Sequence, residues 1–188
     1  MNTIRRSLVD ISQLPERGEI IIDAEGHVAG RLATYIAKAL LEKPELRVVV
    51  VNVEKLAITG DEKMVIEWIK RKISEWRTHY NPEKAGPKVP RRPDRIFKRI
   101  VRGMLPKKTE TGRMALKRLR VYMSIPIEFT QRKKLILYEV PKAKLRLRPL
   151  LDYVTLEEVW RNIDPAAWTQ WKKARDLWEK KIKQQSTE

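Results

Sequence analysis

The sequence has no cysteine, which excludes disulfides, thiolate metal sites and cysteine nucleophiles. Histidine is almost as scarce. His27 and His79 are the only two in 188 residues, and neither has a partner at ligand spacing. No apolar run approaches the ~18 residues that a membrane-spanning helix needs. Arg5 and Arg6 lie near the start, but no apolar leader core follows them. These absences predict a soluble, unsecreted, cytoplasmic chain that spans no membrane. Gly26-x-x-x-Gly30 follows a strand-like run and opens a helical one, yet fits neither the dinucleotide fingerprint nor the P-loop. A tight turn accounts for it. Internal repeats and low-complexity tracts are also missing. With no convergent acid, base or metal cluster, the expectation is no catalytic residue, no metal, no cofactor and no small-molecule substrate.

Acidic residues are scarce in one place only. From Met1 to Glu83 thirteen basic residues meet thirteen acidic ones, and from Pro149 to Glu188 seven meet seven. Between Lys84 and Arg148 there are twenty-one basic residues and four acidic, so this stretch holds the whole net charge of +17. A surface built for solubility mixes its signs. A surface that binds phosphates concentrates one sign, because each neutralised phosphate releases counterions. A polyanion, nucleic acid first and an anionic membrane second, is the partner such a stretch implies.

Hydrophobic patterning gives an α/β order. Glu19 to Asp23 reads as a short buried strand, and Val28, Leu32, Ala33, Ile36, Ala37 and Leu40 recur at helical spacing over about 28–42 until Pro44. Val48 to Val53 is a β-branched run suited to a strand covered on both faces. Leu56 to Gly60 predicts another short strand, and Asp61 or Thr59 caps a helix over about 62–78, with Val65, Ile66, Ile69, Ile73 and Trp76 on its apolar face. A proline-bearing loop spans Pro82 to Pro93. Helices over about 93–104 and 109–118 follow, then a strand at Leu119 to Met123. This order argues for a layered α/β domain with a mainly parallel sheet. Residues 124–151 read as an extended arm with one strand at Leu135 to Leu137. Two helices close the chain, near 156–162 and from Asp164-Pro165 onward. The second carries Trp168, Trp171, Trp178 and Ile182 on one face. With seven basic and seven acidic residues in the C-terminal segment, this helix is read as charge-neutral and its stripe as packing, on the domain or on a neighbouring protein.

The helix over 93–104 is the most informative element. Ile96, Phe97, Ile100, Val101 and Met104 form one stripe, and Arg92, Arg95, Lys98, Arg99 and Arg102 fill the rest at spacings of three and four. Such a helix docks by one side and holds a row of guanidinium forks outward, in a geometry suited to phosphate oxygens. The candidate RNA-contacting set extends it on both sides: Lys88 and Arg91 before, then Lys107, Lys108, Lys117, Arg118, Arg120, Arg132, Lys133 and Lys134. Lys142-Ala-Lys144-Leu-Arg146-Leu-Arg148 alternates basic and apolar residues, so an extended chain would place its charges on one side.

Five segments carry a family resemblance: Asp23-Ala-Glu-Gly-His-Val-Ala-Gly-Arg-Leu-Ala33, Val50-Val-Asn-Val53, Ile58-Thr-Gly60, Arg95-Ile-Phe-Lys-Arg-Ile-Val-Arg-Gly-Met-Leu-Pro106 and Ala115-Leu-Lys-Arg-Leu-Arg-Val-Tyr122. In this order, over about residues 20–127, the chain resembles the large-subunit ribosomal protein L-thirteen family in its archaeal and eukaryotic form. The resemblance implies a three-layer α/β/α domain with a four-stranded parallel sheet, binding to large-subunit ribosomal RNA and no catalysis. Arg95, Lys98, Arg99, Arg102, Lys107, Lys108, Lys117 and Arg118 fall on matching basic positions. The match departs at Ser124-Ile-Pro-Ile-Glu-Phe129, where the family has a proline-rich segment.

The resulting expectation has three parts: a domain over 1–127 that turns basic from residue 84, a basic arm over 128–151, and a helical extension over 152–188. The partners expected are large-subunit ribosomal RNA and neighbouring ribosomal proteins, the latter through the tryptophan-rich helix. Two competing readings are an RNA-processing enzyme on an α/β domain and a basic chromatin protein. The first needs a catalytic cluster and the second a DNA-binding motif, and neither is found in the sequence.

Overall fold

A computed structural model describes residues 3–10, 13–75, 80–81, 84, 88–131, 134–146 and 152–185. Trp76, His79, much of the 82–87 loop, Arg132, Lys133 and Arg148 lie outside the described residues.

Five parallel strands form the central sheet: β1 (Thr3–Leu8), β2 (Arg17–Asp23), β3 (Glu45–Val51), β5 (Leu119–Val121) and β6 (Lys134–Glu139), in the spatial order β1-β6-β2-β3-β5. Val48 to Val51 and Ile20 to Asp23 are buried, as a doubly covered parallel sheet requires. The register pairs Ile20 with Val48, Val50 with Val121, and Ile21 with Leu137.

On one face of the sheet lie α1 (Ala29–Glu42), α3 (Pro93–Met104) and α4 (Glu110–Lys117). Leu32, Ile36 and Leu40 of α1 meet Phe97 and Val101 of α3 and Ala115 of α4 over Ile20, Ile22, Val48 and Val50. Thr109 caps α4 by accepting from the Gly112 N–H. Gly112 itself leaves no room for a side chain, since a Cβ there would collide with the Pro106 carbonyl. The opposite face is thinner. Ile21, Val49, Val51, Leu135 and Leu137 are covered there by Phe129 of the short α5 (Ile127–Thr130), with Tyr122 and Ile125.

A third cluster ties the C-terminal part to the domain. β4 (Ala57–Thr59) pairs antiparallel with β7 (Tyr153–Thr155), while α2 (Glu62–Ser74) packs Ile66 and Ile69 against Val154 and Val159. Thr155 and Glu158 form a capping box at the start of α6 (Leu156–Ile163). Trp160 of α6 is 2% exposed, and Trp171 of α7 (Pro165–Gln185) packs on it with ring centroids 5.5 Å apart.

The sheet is parallel within an α/β architecture, as the element order predicts. It differs from expectation in three respects. There are five strands rather than four, because β1 joins the edge. The strand expected at Leu135 to Leu137 is present as β6, but it lies inside the central sheet, between β1 and β2, rather than in an extended arm. The third difference is the charge of the tryptophan helix, which is not neutral. Within Pro165–Gln185 six basic residues meet only two acidic ones, and the balancing acids of this segment lie outside the helix.

Candidate nucleic-acid interface

Pro93 opens α3 at a position where its missing N–H costs nothing. Pro93, Phe97 and Val101 recur every four residues and are buried, with Ile96 and Ile100 half-buried beside them. Arg95, Arg99 and Arg102 are therefore carried to the opposite side and exposed. Two contacts shape the surface around them. Lys98 Nζ donates to the Leu119 carbonyl at 3.2 Å, fixing α3 to the start of β5. Arg99 Nη1 donates to the Lys88 carbonyl at 3.0 Å, drawing the 88–92 segment back along the helix.

Between that segment, α3 and the turn after it lies an open cleft of about 990 Å3. Lys88, Arg91, Arg92, Arg95, Lys98, Arg99, Arg102 and Lys107 line it, with Val89, Pro90, Gly103 and Leu116 as its apolar floor. Among the described residues no carboxylate lines the cleft. Asp94, in the first turn of α3, pairs with Arg92 at 3.3 Å. Seven cations remain without such a carboxylate among the described ion pairs.

The other predicted residues sit elsewhere. Lys108 is exposed in the turn before α4, Lys117 at the end of α4, and Arg120 on the solvent side of β5; none lines the cleft. Lys134 begins β6, its backbone in register with Thr3. Arg118 has a structural position. Its guanidinium donates to the carbonyls of Leu40 (2.8 Å), Lys43 (2.7 Å) and Leu46 (3.1 Å). It thus satisfies the open end of α1, which has neither a basic residue in its last turn nor a glycine after it. That missing cap is the one signal in the sequence that a distant donor is needed. Lys142 and Lys144 are likewise engaged, by Asp10 at 2.8 Å and by Glu139.

The carboxyl ends of the strands are where open α/β sheets bind ligands. Between β2 and β6 the chain fills that crevice itself, while a cleft of about 430 Å3 stays open beyond the ends of β3 and β5, lined by Asn52, Glu54, Ser124 and Trp171. His27 is fully buried; its Nε2 accepts from the Val140 N–H at 3.1 Å, so Nδ1 carries the proton and donates to the Glu25 carbonyl at 2.9 Å. Burial pulls the His27 pKa below its ordinary value. The Val28 N–H donates to the Ala143 carbonyl, and the Leu145 N–H donates to the Gly26 carbonyl, both at 2.9 Å. Gly26 takes φ +70°, the tight-turn conformation its sequence context suggests. Arg6 reaches Asp23, Glu25 and Glu139 within 3.2 to 3.7 Å, and Lys55 reaches Glu25 at 2.8 Å. Glu54 is buried and accepts from the Ser124 N–H at 3.0 Å; burial pushes its pKa up. Among the described residues no group of three or more His, Asp or Glu is arranged to hold a metal ion.

The family described as Ribosomal protein L13 matches residues 17–128. Large ribosomal subunit protein uL13 of Pyrobaculum aerophilum is 80% identical over 184 residues, covering 98% of both chains. Its counterpart in Pyrobaculum islandicum is 78% identical over 175 residues, covering 93% of this chain and 95% of that one. The protein of the same name in Archaeoglobus fulgidus is 47% identical over 144 residues, 76% of this chain and 86% of the relative. With a cation-lined cleft built on its Arg-Gly-Met-Leu-Pro helix and matches of this extent, the chain belongs to the ribosomal protein L13 family.

Proposed function

We infer that this protein is a structural constituent of the large ribosomal subunit and binds large-subunit ribosomal RNA through the α3 cleft. One observation carries the reading: eight cationic side chains converge on a single open cleft, with no carboxylate among the described residues of its lining. Their charges repel one another unless a polyanion lies among them. The forked guanidinium groups of Arg91, Arg95, Arg99 and Arg102 suit paired phosphate oxygens, while Lys88 and Lys107 add point charges at the margins. Val89, Pro90 and Leu116 give the backbone and sugars a surface to rest on. The protein acts by positioning RNA, without catalysis, in cytoplasmic ribosomes. α7 is the element offered to neighbouring ribosomal proteins, since Leu177 and Trp178 are exposed beyond its anchor at Trp171.

The test is affinity for deproteinised large-subunit RNA as a function of salt. Neutralising about six to eight phosphates weakens binding by about a thousandfold to ten-thousandfold between 50 and 200 mM salt. A flat dependence of log affinity on log salt would reject the reading.

A further inference from the structure

Six glycines lie among the described residues, and four of them answer to the fold itself. Gly18, Gly26 and Gly60 take positive φ, and Gly112 sits against the Pro106 carbonyl. Gly30 and Gly103 are different. Both lie inside helices, in α1 and α3, without positive φ. A Cβ built on either meets nothing within 4 Å among the described residues beyond its own stretch of helix. Glycine inside a helix loses more backbone freedom on folding than alanine would. At these two positions neither a turn nor a close neighbour in the chain calls for it. Gly103 is not a helix stop either, since α3 runs on to Met104 and is capped by the extended residue Leu105.

Place separates the two. Gly30 stands in the first turn of α1 and is no part of the cleft lining. Gly103 is exposed and lines the cleft, four residues after Arg99, next to Arg102 and four residues before Lys107. The α3 main chain is therefore bare at one point of a wall that carries cations on either side of it.

We propose that Gly103 is the point where the ribose-phosphate backbone of the bound RNA lies directly on the α3 main chain, between phosphates held by Arg99, Arg102 and Lys107. The proposal rests on the cleft reading above and adds a contact of shape to one of charge. Long cationic side chains reach a phosphate over a range of distances, whereas a bare main chain fixes one. Glycine is the residue that permits so close an approach. The occupant at this point is backbone and not base. A splayed base is held by stacking on an aromatic ring, and among the described residues no ring lines the cleft.

The experiment uses the full chain with Gly103→Ala, Gly103→Leu and Gly30→Ala, beside a variant with Arg95, Arg99 and Arg102 all changed to Gln. Thermal midpoints are measured, and affinities for deproteinised large-subunit RNA over a range of salt. Gly103→Ala is expected to raise the midpoint by about 1–4 °C, as alanine does where a helix accommodates it. It should nonetheless weaken RNA binding by about fivefold to a hundredfold, the effect of forcing a methyl group into a closed contact. Gly103→Leu should weaken binding further. The salt slope of both should match the parent, because no charge is lost. Gly30→Ala should raise the midpoint in the same way and leave affinity unchanged. Greater stability together with weaker binding is an outcome that damage to the fold does not produce. If Gly103→Ala binds within about twofold of the parent while the Gln variant is weakened, the RNA does not touch α3 at this point and the cleft stands. If the Gln variant is also unaffected, the cleft reading itself falls. If Gly103→Ala lowers the midpoint, the fold itself needs the glycine and the proposal is overturned. It is overturned equally if Gly30→Ala weakens binding as much as Gly103→Ala, since the loss is then not peculiar to the cleft.

Discussion

The crevice at the strand ends and the cleft along α3 are built from the same kinds of side chain and treat charge in opposite ways. In the crevice Arg6, Lys55 and Lys144 meet Asp23, Glu25 and Glu139, His27 is held neutral by a backbone N–H, and residues 140–145 cover the helix start. Charge there is consumed within the chain. In the cleft only Arg92 has a carboxylate among the described ion pairs. The crevice between β2 and β6 is closed by the chain's own residues, while the cations along the flank of α3 are left open. The comparison also separates two uses of arginine. Arg118 gives its donors to three carbonyls of its own chain, while Arg95 and Arg102 hold theirs outward.

The contrast can be broken at several points. The largest expected effect is on the inner face of α3. Phe97 is wholly buried, so Phe97→Ala should cost roughly 3–5 kcal/mol in chemical or thermal unfolding. RNA binding would fall only through loss of the helix. On the outer face, changing Arg95, Arg99 and Arg102 to Gln should leave stability nearly intact, since exposed substitutions shift it by about half a kcal/mol. Affinity should drop, and the salt slope should become shallower by about one for each phosphate that is no longer neutralised. Should that variant unfold while Phe97→Ala does not, the two faces are assigned backwards.

A smaller effect tests the division among arginines. Arg118→Met removes three hydrogen bonds, two at the end of α1 and one to Leu46 of β3, and should destabilise by about 1–3 kcal/mol, without changing the salt slope of RNA binding. A shallower slope would return Arg118 to the RNA surface. The smallest effect belongs to His27. Its folded pKa lies below its ordinary 6.5, so the unfolded chain binds the extra proton first. Stability contributed by neutral His27 is therefore complete above about pH 6.5 and declines as pH falls below it. In melts across that range the parent should lose more than His27→Gln. Equal pH dependence in the two would mean that His27 is not held neutral.

Much of the molecule is legible in the chain. α1 and α3 follow from apolar residues at three- and four-residue spacing, and β3 from four consecutive valines. The convergence of cations is legible as charge density, and the outward row on α3 as phase. What cannot be read is decided by distant partners. β1 contains Arg5 and Arg6 and has no pattern of its own; it becomes a strand because β6 supplies its hydrogen bonds. β6 is legible as a strand at Leu135 to Leu137, but the basic, proline-bearing sequence around it hides its place inside the central sheet. The fate of Arg118 depends on the end of a helix some seventy-five residues earlier. The charge of α7 escapes a balance drawn over the whole segment, because that balance includes acids that the helix does not contain.

The place of β6 in the sheet also sets an order of events during synthesis. β1 is made first, yet it pairs only with β6, which begins at Lys134 and emerges about 130 residues later. β2, α1 and β3 can meet as soon as they leave the ribosome, because the strands of that unit are neighbours in both sequence and space. α3 then has a surface to dock on, and the basic cleft can form while the first strand is still unpaired. In the nascent chain the α3 cleft can therefore form before the sheet behind it is closed. The insertion of β6 between β1 and β2 is a long-range closure of the slow kind, and β7, α6 and α7 are made only after that strand.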